Sequence, residues 1–91
     1  MDHRYDVVKD FIERGKIVEF KEIFTYLPKT VLIKDWRSNN YRLTRLIDHP
    51  QQLSVEEIYE IAALIKVDPA LVLTLVVRQF NNNGGHVFLT A

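Results

Sequence analysis

The spacing of the apolar residues constrains the fold of this chain more than any other feature, because it follows the helical period almost throughout. Between residues 18 and 27, apolar side chains lie at i, i+3, i+4 and i+7, which places them on one face of a helix. Ser54 followed by Glu57 is typical of a capping box. Asp68 followed by Pro69 is typical of an N-cap and the first helical residue after it. The whole pattern predicts six helices, over about residues 4–14, 18–27, 30–36, 40–48, 54–65 and 69–80.

The short connections between these helices predict one all-α domain, a compact bundle of five to six helices. Ninety-one residues can bury one hydrophobic core but are too few for two ordinary domains. We expect residues 1–16 to form an accessory N-terminal helix that ends at Gly15, and residues 17–80 to form the core of the bundle. The Asn- and Gly-rich run at 81–85 cannot hold a helix by its composition. We expect residues 81–91 to form a flexible or partner-bound tail.

Composition argues against several classes of protein. The chain has no cysteine, which excludes disulfides, thiolate metal ligands and thiol nucleophiles. It has no run of about 18 apolar residues and no signal-peptide pattern, so we expect a cytoplasmic protein with no membrane partner. His3, His49 and His86 are too widely spaced to predict a metal site. No nucleophile, histidine and acid form a catalytic pattern, so we expect no enzyme activity, no cofactor and no small-molecule substrate.

The charged residues are unevenly distributed, although the formal net charge of the whole chain is zero. Residues 29–49 carry a net charge of +3, and the rest of the chain carries −3. The same segment contains a short helix, a turn and a second helix, which is the order of a helix-turn-helix. At 100° per residue, the polar side of the second helix carries Tyr41, Thr44, Arg45 and Asp48, with Asn40 at its edge and Arg42 on a flank. Such groups can contact DNA bases. They are equally compatible with an ordinary solvated face.

Several segments of the chain match a known pattern. They are Pro28-Lys-Thr-Val-Leu-Ile-Lys-Asp-Trp36, Asn39-Asn-Tyr-Arg-Leu-Thr-Arg-Leu-Ile-Asp48, Leu53-Ser-Val-Glu-Glu-Ile58, Ile61-Ala-Ala-Leu-Ile-Lys-Val67 and Asp68-Pro-Ala-Leu71. In these segments, the chain resembles the lambda-repressor-like helix-turn-helix family of the xenobiotic-response-element type. The resemblance implies a lambda-repressor-like bundle that binds double-stranded DNA and regulates transcription.

The resemblance also implies a set of DNA contacts. Carried over by position, it places base contacts at Asn40, Tyr41, Thr44 and Arg45. It places phosphate contacts at Lys29, Thr30 and Arg42. Asp48 lies on the same side of the helix with a charge that repels DNA. It could accept a hydrogen bond from a cytosine amino group, pair with Arg45, or indicate a different partner.

Two positions in the predicted helix-turn-helix depart from the family. Ile33 stands where the family commonly has alanine, at the close crossing of the two helices. Arg37 stands where the family usually has a glycine with positive φ. We expect Asn39 or Asn40 to adopt the left-handed conformation instead, because asparagine tolerates it better than arginine. The fold is then kept with an altered turn.

The last predicted helix is apolar on almost every side, with only Thr74 interrupting residues 71–77. Such a helix is expected to be buried all round. A homodimer interface would achieve this, and the resemblance implies pairing through the same helix. The predicted interface residues are Leu71, Leu75 and Val76. Alternatively, the N-terminal helix covers this face within one chain, through Tyr5, Val8 and Phe11.

Two functions therefore remain open at the level of the sequence. The first is a small sequence-specific DNA-binding protein that reads the major groove with the helix over 40–48, as a homodimer on a two-fold site. The second is a protein-interaction or dimerisation module on the same fold that has lost DNA binding. The departures at Ile33 and Arg37, and the charge of Asp48, favour the second.

Overall fold

A computed structural model describes residues 2–37 and 40–85 of the chain. Its α-helices are α1 (Arg4–Glu13), α2 (Ile23–Tyr26), α3 (Lys29–Trp36), α4 (Asn40–Asp48), α5 (Val55–Ile65) and α6 (Pro69–Asn82). Two 3-10 turns cover Phe20–Glu22 and Pro50–Gln52. No strand occurs in the described residues. The predicted all-α class is confirmed.

Local signals set several of the helix boundaries. Gly15 has a φ of 77°, and it follows the end of α1 as predicted. At the start of α5, the Ser54 hydroxyl accepts a hydrogen bond from the Glu57 N–H at 3.0 Å, and the Glu57 carboxylate accepts one from the Ser54 N–H at 2.9 Å. At the start of α6, the Asp68 carboxylate accepts from the Ala70 N–H at 2.9 Å. These caps satisfy N–H groups that have no partner within the helix.

The single helix predicted over 18–27 is wrong. This segment forms a 3-10 turn over Phe20–Glu22 and then the one-turn helix α2. The carboxylate of Glu22 accepts hydrogen bonds from the backbone N–H groups of Val18, at 2.7 Å, and Glu19, at 2.8 Å. These bonds hold the start of the segment in a tight turn. The apolar side chains whose spacing predicted a helix are nevertheless packed in or against the core.

One apolar core connects all the helices. Among the described residues, nineteen apolar side chains are buried in it. The apolar residues of α5 that lie at helical spacing, Ile58, Ile61, Ala62 and Ile65, are all buried and form its inward stripe. Helix α5 packs against α1, α3 and α6, so it lies at the centre of the bundle. The Cα radius of gyration is 12.8 Å, close to the value of about 12 Å expected for a compact chain of this length.

Helix α6 differs from its prediction in two ways. It extends to Asn82, although the run 81–85 was expected not to hold a helix. The side chain of Asn82 donates a hydrogen bond to the carboxylate of Glu19, and the side chain of Asn83 donates to the backbone carbonyl of Asp48 at 3.3 Å. These contacts from distant parts of the chain favour the added turn. Residues 86–91, the greater part of the predicted tail, lie outside the described residues.

Helix α6 is also not buried all round. It packs mainly against α5 and the two 3-10 turns, whereas α1 packs mainly against α5 and α2. Leu73 and Val77 remain about half exposed, at 48% and 47%. Gln79, a polar residue, is buried at 1% exposure. Its side-chain amide donates to the Ile47 carbonyl at 2.6 Å, and its side-chain oxygen accepts from the Lys21 N–H at 2.8 Å.

Candidate nucleic-acid interface

The helices α3 and α4 pack against each other and are joined by residues 37–39. Arg37 ends α3 in the left-handed conformation, with φ 60° and ψ 34°, and its N–H donates to the Ile33 carbonyl at 2.9 Å. The expectation that an asparagine would take this role is therefore corrected. Asn40 is helical, and Asn39 lies outside the described residues. A left-handed residue directly after the helix satisfies its last carbonyl groups, and here that position falls on the arginine.

Helix α4 exposes one polar side. Leu43 and Leu46 are fully buried, which turns the opposite side of the helix outward. The four predicted base-contacting residues all lie on the exposed part of the helix, namely Asn40, Tyr41, Thr44 and Arg45. Tyr41 is exposed at 89%. An aromatic ring this exposed adds little to the core of the chain, and it is accessible to another molecule.

The start of α3 lies beside this side of α4. The ammonium group of Lys29 donates a hydrogen bond to the hydroxyl of Thr44 at 3.2 Å. Thr30 is exposed in the first turn of α3. A predicted phosphate contact and a predicted base contact are thus adjacent. We name the group of the partly exposed Lys29 and the exposed Thr30, Asn40, Tyr41, Thr44 and Arg45 the α3–α4 face.

Arg42 does not point toward Lys29 but toward α5. Its guanidinium donates from Nε to Oε2 of Glu57 at 2.9 Å and from Nη2 to Oε1 of Glu57 at 2.5 Å. Partial burial by itself raises the pKa of Glu57, but hydrogen bonds from Arg42 and the Ser54 N–H lower it below its ordinary value. The sequence placed Glu57 only in a capping box and gave no indication of this ion pair.

The negative residue on α4 has no cationic partner in the described part of the chain. Asp48 and Arg45 are both exposed, and no ion pair joins them across residues 2–37 and 40–85. The predicted alternative of an i, i+3 pair is therefore not formed. The carboxylate of Asp48 and the guanidinium of Arg45 are both available to a partner.

Other polar contacts of the bundle involve side chains for which the sequence predicted no polar partner. The hydroxyl of Tyr5, in α1, donates to the carboxylate of Asp35, in α3, at 2.8 Å. Burial and the neighbouring Asp35 carboxylate raise the pKa of Tyr5. The indole N–H of Trp36 donates to Glu60 of α5 at 3.0 Å. These bonds connect α3 to α1 and α5, and the partners are too far apart in sequence for periodicity to pair them.

The outer sides of α5 and α6 expose four large apolar residues, Val55, Tyr59, Leu73 and Val77, which we name the α5–α6 face. None of the three predicted dimer residues belongs to it. Leu75 and Val76 are buried within this chain at 2% and 5% exposure, and Leu71 is half-buried against the core. The predicted interface is corrected accordingly, since Leu73 and Val77 are the large apolar side chains that α6 exposes.

Comparison with known proteins gives no identification, because no family model, curated protein or solved structure matches the chain. None of the helices in the described residues is long and apolar enough to cross a membrane. Within the same residues, no three histidine or acidic side chains cluster closely enough to hold a metal ion.

Proposed function

We propose that this protein binds double-stranded DNA and regulates transcription, with α4 in the major groove. The observation that carries the proposal is the α3–α4 face, an outward polar surface in which Lys29 of α3 lies within hydrogen-bond distance of Thr44 of α4. The segment 29–49 that contains it has a net charge of +3. A local excess of positive charge attracts the phosphate backbone, while short polar side chains and an exposed aromatic ring can contact base edges.

The side chains of the face are suited to distinct parts of DNA. Arg45 can pair with a guanine edge and Asn40 with an adenine edge, each through two hydrogen bonds. Tyr41 and Thr44 can contact a thymine methyl group. Lys29 and Thr30, at the start of α3, are suited to phosphate oxygens, which position a protein on the duplex without reading its sequence.

The test is a fluorescence-anisotropy titration with duplex DNA at low and rising salt. For wild type, we expect binding that weakens steeply as salt rises. Lys29→Ala should reduce the salt slope by about one unit. On a duplex selected from a random pool, Arg45→Ala should weaken binding by about 1–3 kcal/mol. Arg14→Ala removes the same charge from the exposed end of α1 and should leave binding unchanged.

The proposal fails if wild type does not bind DNA at low salt. It fails equally if Lys29→Ala and Arg45→Ala bind as wild type does, because the α3–α4 face would then not be the surface in contact. Circular dichroism of each variant checks that the helices are retained. Both substitutions replace partly or fully exposed residues with alanine, a strong helix former, so the fold should be kept.

A second candidate is a protein-interaction module that forms a homodimer, and the α5–α6 face favours it. Leu73 and Val77 are exposed four residues apart on α6, so they lie on one side of the helix, and contact with a second copy would remove their apolar surface from water. Sedimentation velocity tests this candidate. Leu73→Glu should convert a dimer to a monomer, whereas Val18→Glu, at an exposed apolar residue outside the face, should not. A wild-type chain that is monomeric at high concentration contradicts the dimer. Dimerisation without DNA binding would favour this candidate over the first.

A further inference from the structure

Arg42 is placed between the proposed DNA-binding surface and α5. It lies three residues before Arg45 on α4, so the two side chains leave neighbouring sides of the helix. Its side chain is partly exposed, at 43%. A long guanidinium side chain at this position can reach a phosphate next to the α3–α4 face.

The carboxylate of Glu57 already holds this guanidinium. Both of its oxygens accept from Arg42, and the separation of Nη2 from Oε2 is 2.7 Å. Two parallel hydrogen bonds between a guanidinium and a carboxylate are the same arrangement in which arginine binds a phosphate. The lowered pKa of Glu57 is consistent with a carboxylate that is ionised at neutral pH. Glu57 and a DNA phosphate therefore offer Arg42 equivalent chemistry.

We infer that Glu57 competes with the DNA phosphate backbone for Arg42, and so limits the affinity and the salt dependence of binding. This inference rests on the proposed DNA-binding function. The Nε and Nη2 donors of Arg42 can bind a phosphate side by side only when the ion pair with Glu57 opens. Glu57 then acts as an internal substitute for phosphate, and the contact contributes less to DNA binding than a cation without such a partner.

Glu57→Gln isolates the charge of Glu57 from its structural role. Glutamine is as acceptable as glutamate at the third position of a capping box, so the cap with Ser54 is kept while the negative charge is removed. Glu56→Gln is the matched control, because Glu56 lies in the same first turn of α5 and loses the same charge. The Glu56 side chain is exposed and makes no hydrogen bond or ion pair among the residues that the structure describes.

The measurement is anisotropy of the full chain with a labelled duplex of random sequence, from about 50 to 200 mM salt. Relative to Glu56→Gln, Glu57→Gln should bind about three- to tenfold more tightly at low salt, as expected for one additional hydrogen-bonded contact. Its salt slope should be steeper by about 0.9, because one more phosphate is neutralised. Thermal unfolding of both variants verifies that the fold is retained.

A double variant identifies Arg42 as the group released. In an Arg42→Ala background, Glu57→Gln should bind no more tightly than Glu56→Gln in that background. If wild type binds DNA but Glu57→Gln and Glu56→Gln have the same affinity and slope, the inference is overturned and the proposed function stands. A gain that persists without Arg42 also overturns it, since the cause is then general repulsion. If no variant and no wild type binds the duplex, the proposed function and the inference fail together.

Discussion

The two helix pairs of the bundle, α3–α4 and α5–α6, share one feature and differ in another. The first helix of each pair ends in the same conformation, but the second helix of each exposes a different kind of surface. Helix α3 ends at Arg37, with φ 60°, and helix α5 ends at Lys66, with φ 68°. These are the two residues other than glycine with positive φ among those that the structure describes. Beyond the turn, α4 exposes polar and cationic side chains, whereas α6 exposes Leu73 and Val77.

The shared ending has a physical cause that does not depend on function. A left-handed residue satisfies the last carbonyl groups of a helix, and a cation there interacts favourably with the negative end of the helix dipole. Left-handed φ is costly for a residue with a Cβ, so each pair stores a small strain. The difference between the two pairs lies in their outer sides. The proposed DNA binding therefore concerns the first pair, and the proposed self-association concerns the second.

Gln79 holds the two pairs together, and its replacement is expected to have the largest effect. Gln79→Leu keeps the size of the side chain but leaves the Ile47 carbonyl and the Lys21 N–H without their partner. Each unsatisfied buried group costs about 1–3 kcal/mol, so we expect a loss of about 2–4 kcal/mol in the free energy of unfolding. Urea denaturation followed by circular dichroism measures it.

The control for this prediction is Gln52→Leu, the same substitution at an exposed residue of the second 3-10 turn. It should change the free energy of unfolding by less than about 0.5 kcal/mol. If the two variants are equally stable, Gln79 does not connect the pairs in the way that its hydrogen bonds indicate.

Substitution by glycine at the two left-handed positions should affect stability in both pairs but DNA binding in only one. Arg37→Gly and Lys66→Gly each relieve a positive φ on a residue with a Cβ. We expect each to raise the free energy of unfolding by about 0.5–1 kcal/mol, measured by urea denaturation. Only Arg37→Gly should weaken DNA binding, because it removes a cation from the basic segment 29–49.

Two outcomes would contradict this prediction. A loss of stability in both variants would mean that the cationic side chains contribute more at the helix ends than the strain costs. An equal effect of the two substitutions on DNA binding would mean that net charge alone, and not its position on the first pair, sets the affinity.

Sequence predicted best those features that are determined within a few residues. The capping box of Ser54 with Glu57 and the Asp68-Pro69 start both lie at observed helix starts, because each cap is formed by neighbouring residues. The stripe of α5 followed from its period. Contacts between distant residues were not predictable in this way. The side-chain amide of Gln79 forms hydrogen bonds with residues 32 and 58 positions away, and no local sequence pattern predicts them.

The same limit explains the errors at the ends of elements and on the candidate site. Helix α6 continues to Asn82, where hydrogen bonds to Glu19, just before the first 3-10 turn, and to Asp48 of α4 favour a helix in a sequence that is poor in helix formers. The side of α4 was predicted from its period, and the exposure of Tyr41 agrees with it. The ion pair of Arg42 was not predicted, because it depends on where the first turn of α5 lies relative to α4.

The pH dependence of stability tests that ion pair without DNA, and it is the smallest effect expected. The pKa of Glu57 is lowered in the folded chain, so its stabilising contribution is present above its unfolded pKa of 4.5 and is lost as pH falls through the lower folded value. Wild type should exceed Glu57→Gln by about 0.5–1 kcal/mol near neutral pH, as for a partly exposed pair. Thermal unfolding should show this difference shrinking below pH 4.5, while the difference between wild type and Glu56→Gln stays small throughout.

A difference in the free energy of unfolding between wild type and Glu57→Gln that does not change with pH would mean that the carboxylate is not held by Arg42. Glu57 would then act only as a helix cap, and it would not connect the pair α5–α6 to the pair α3–α4.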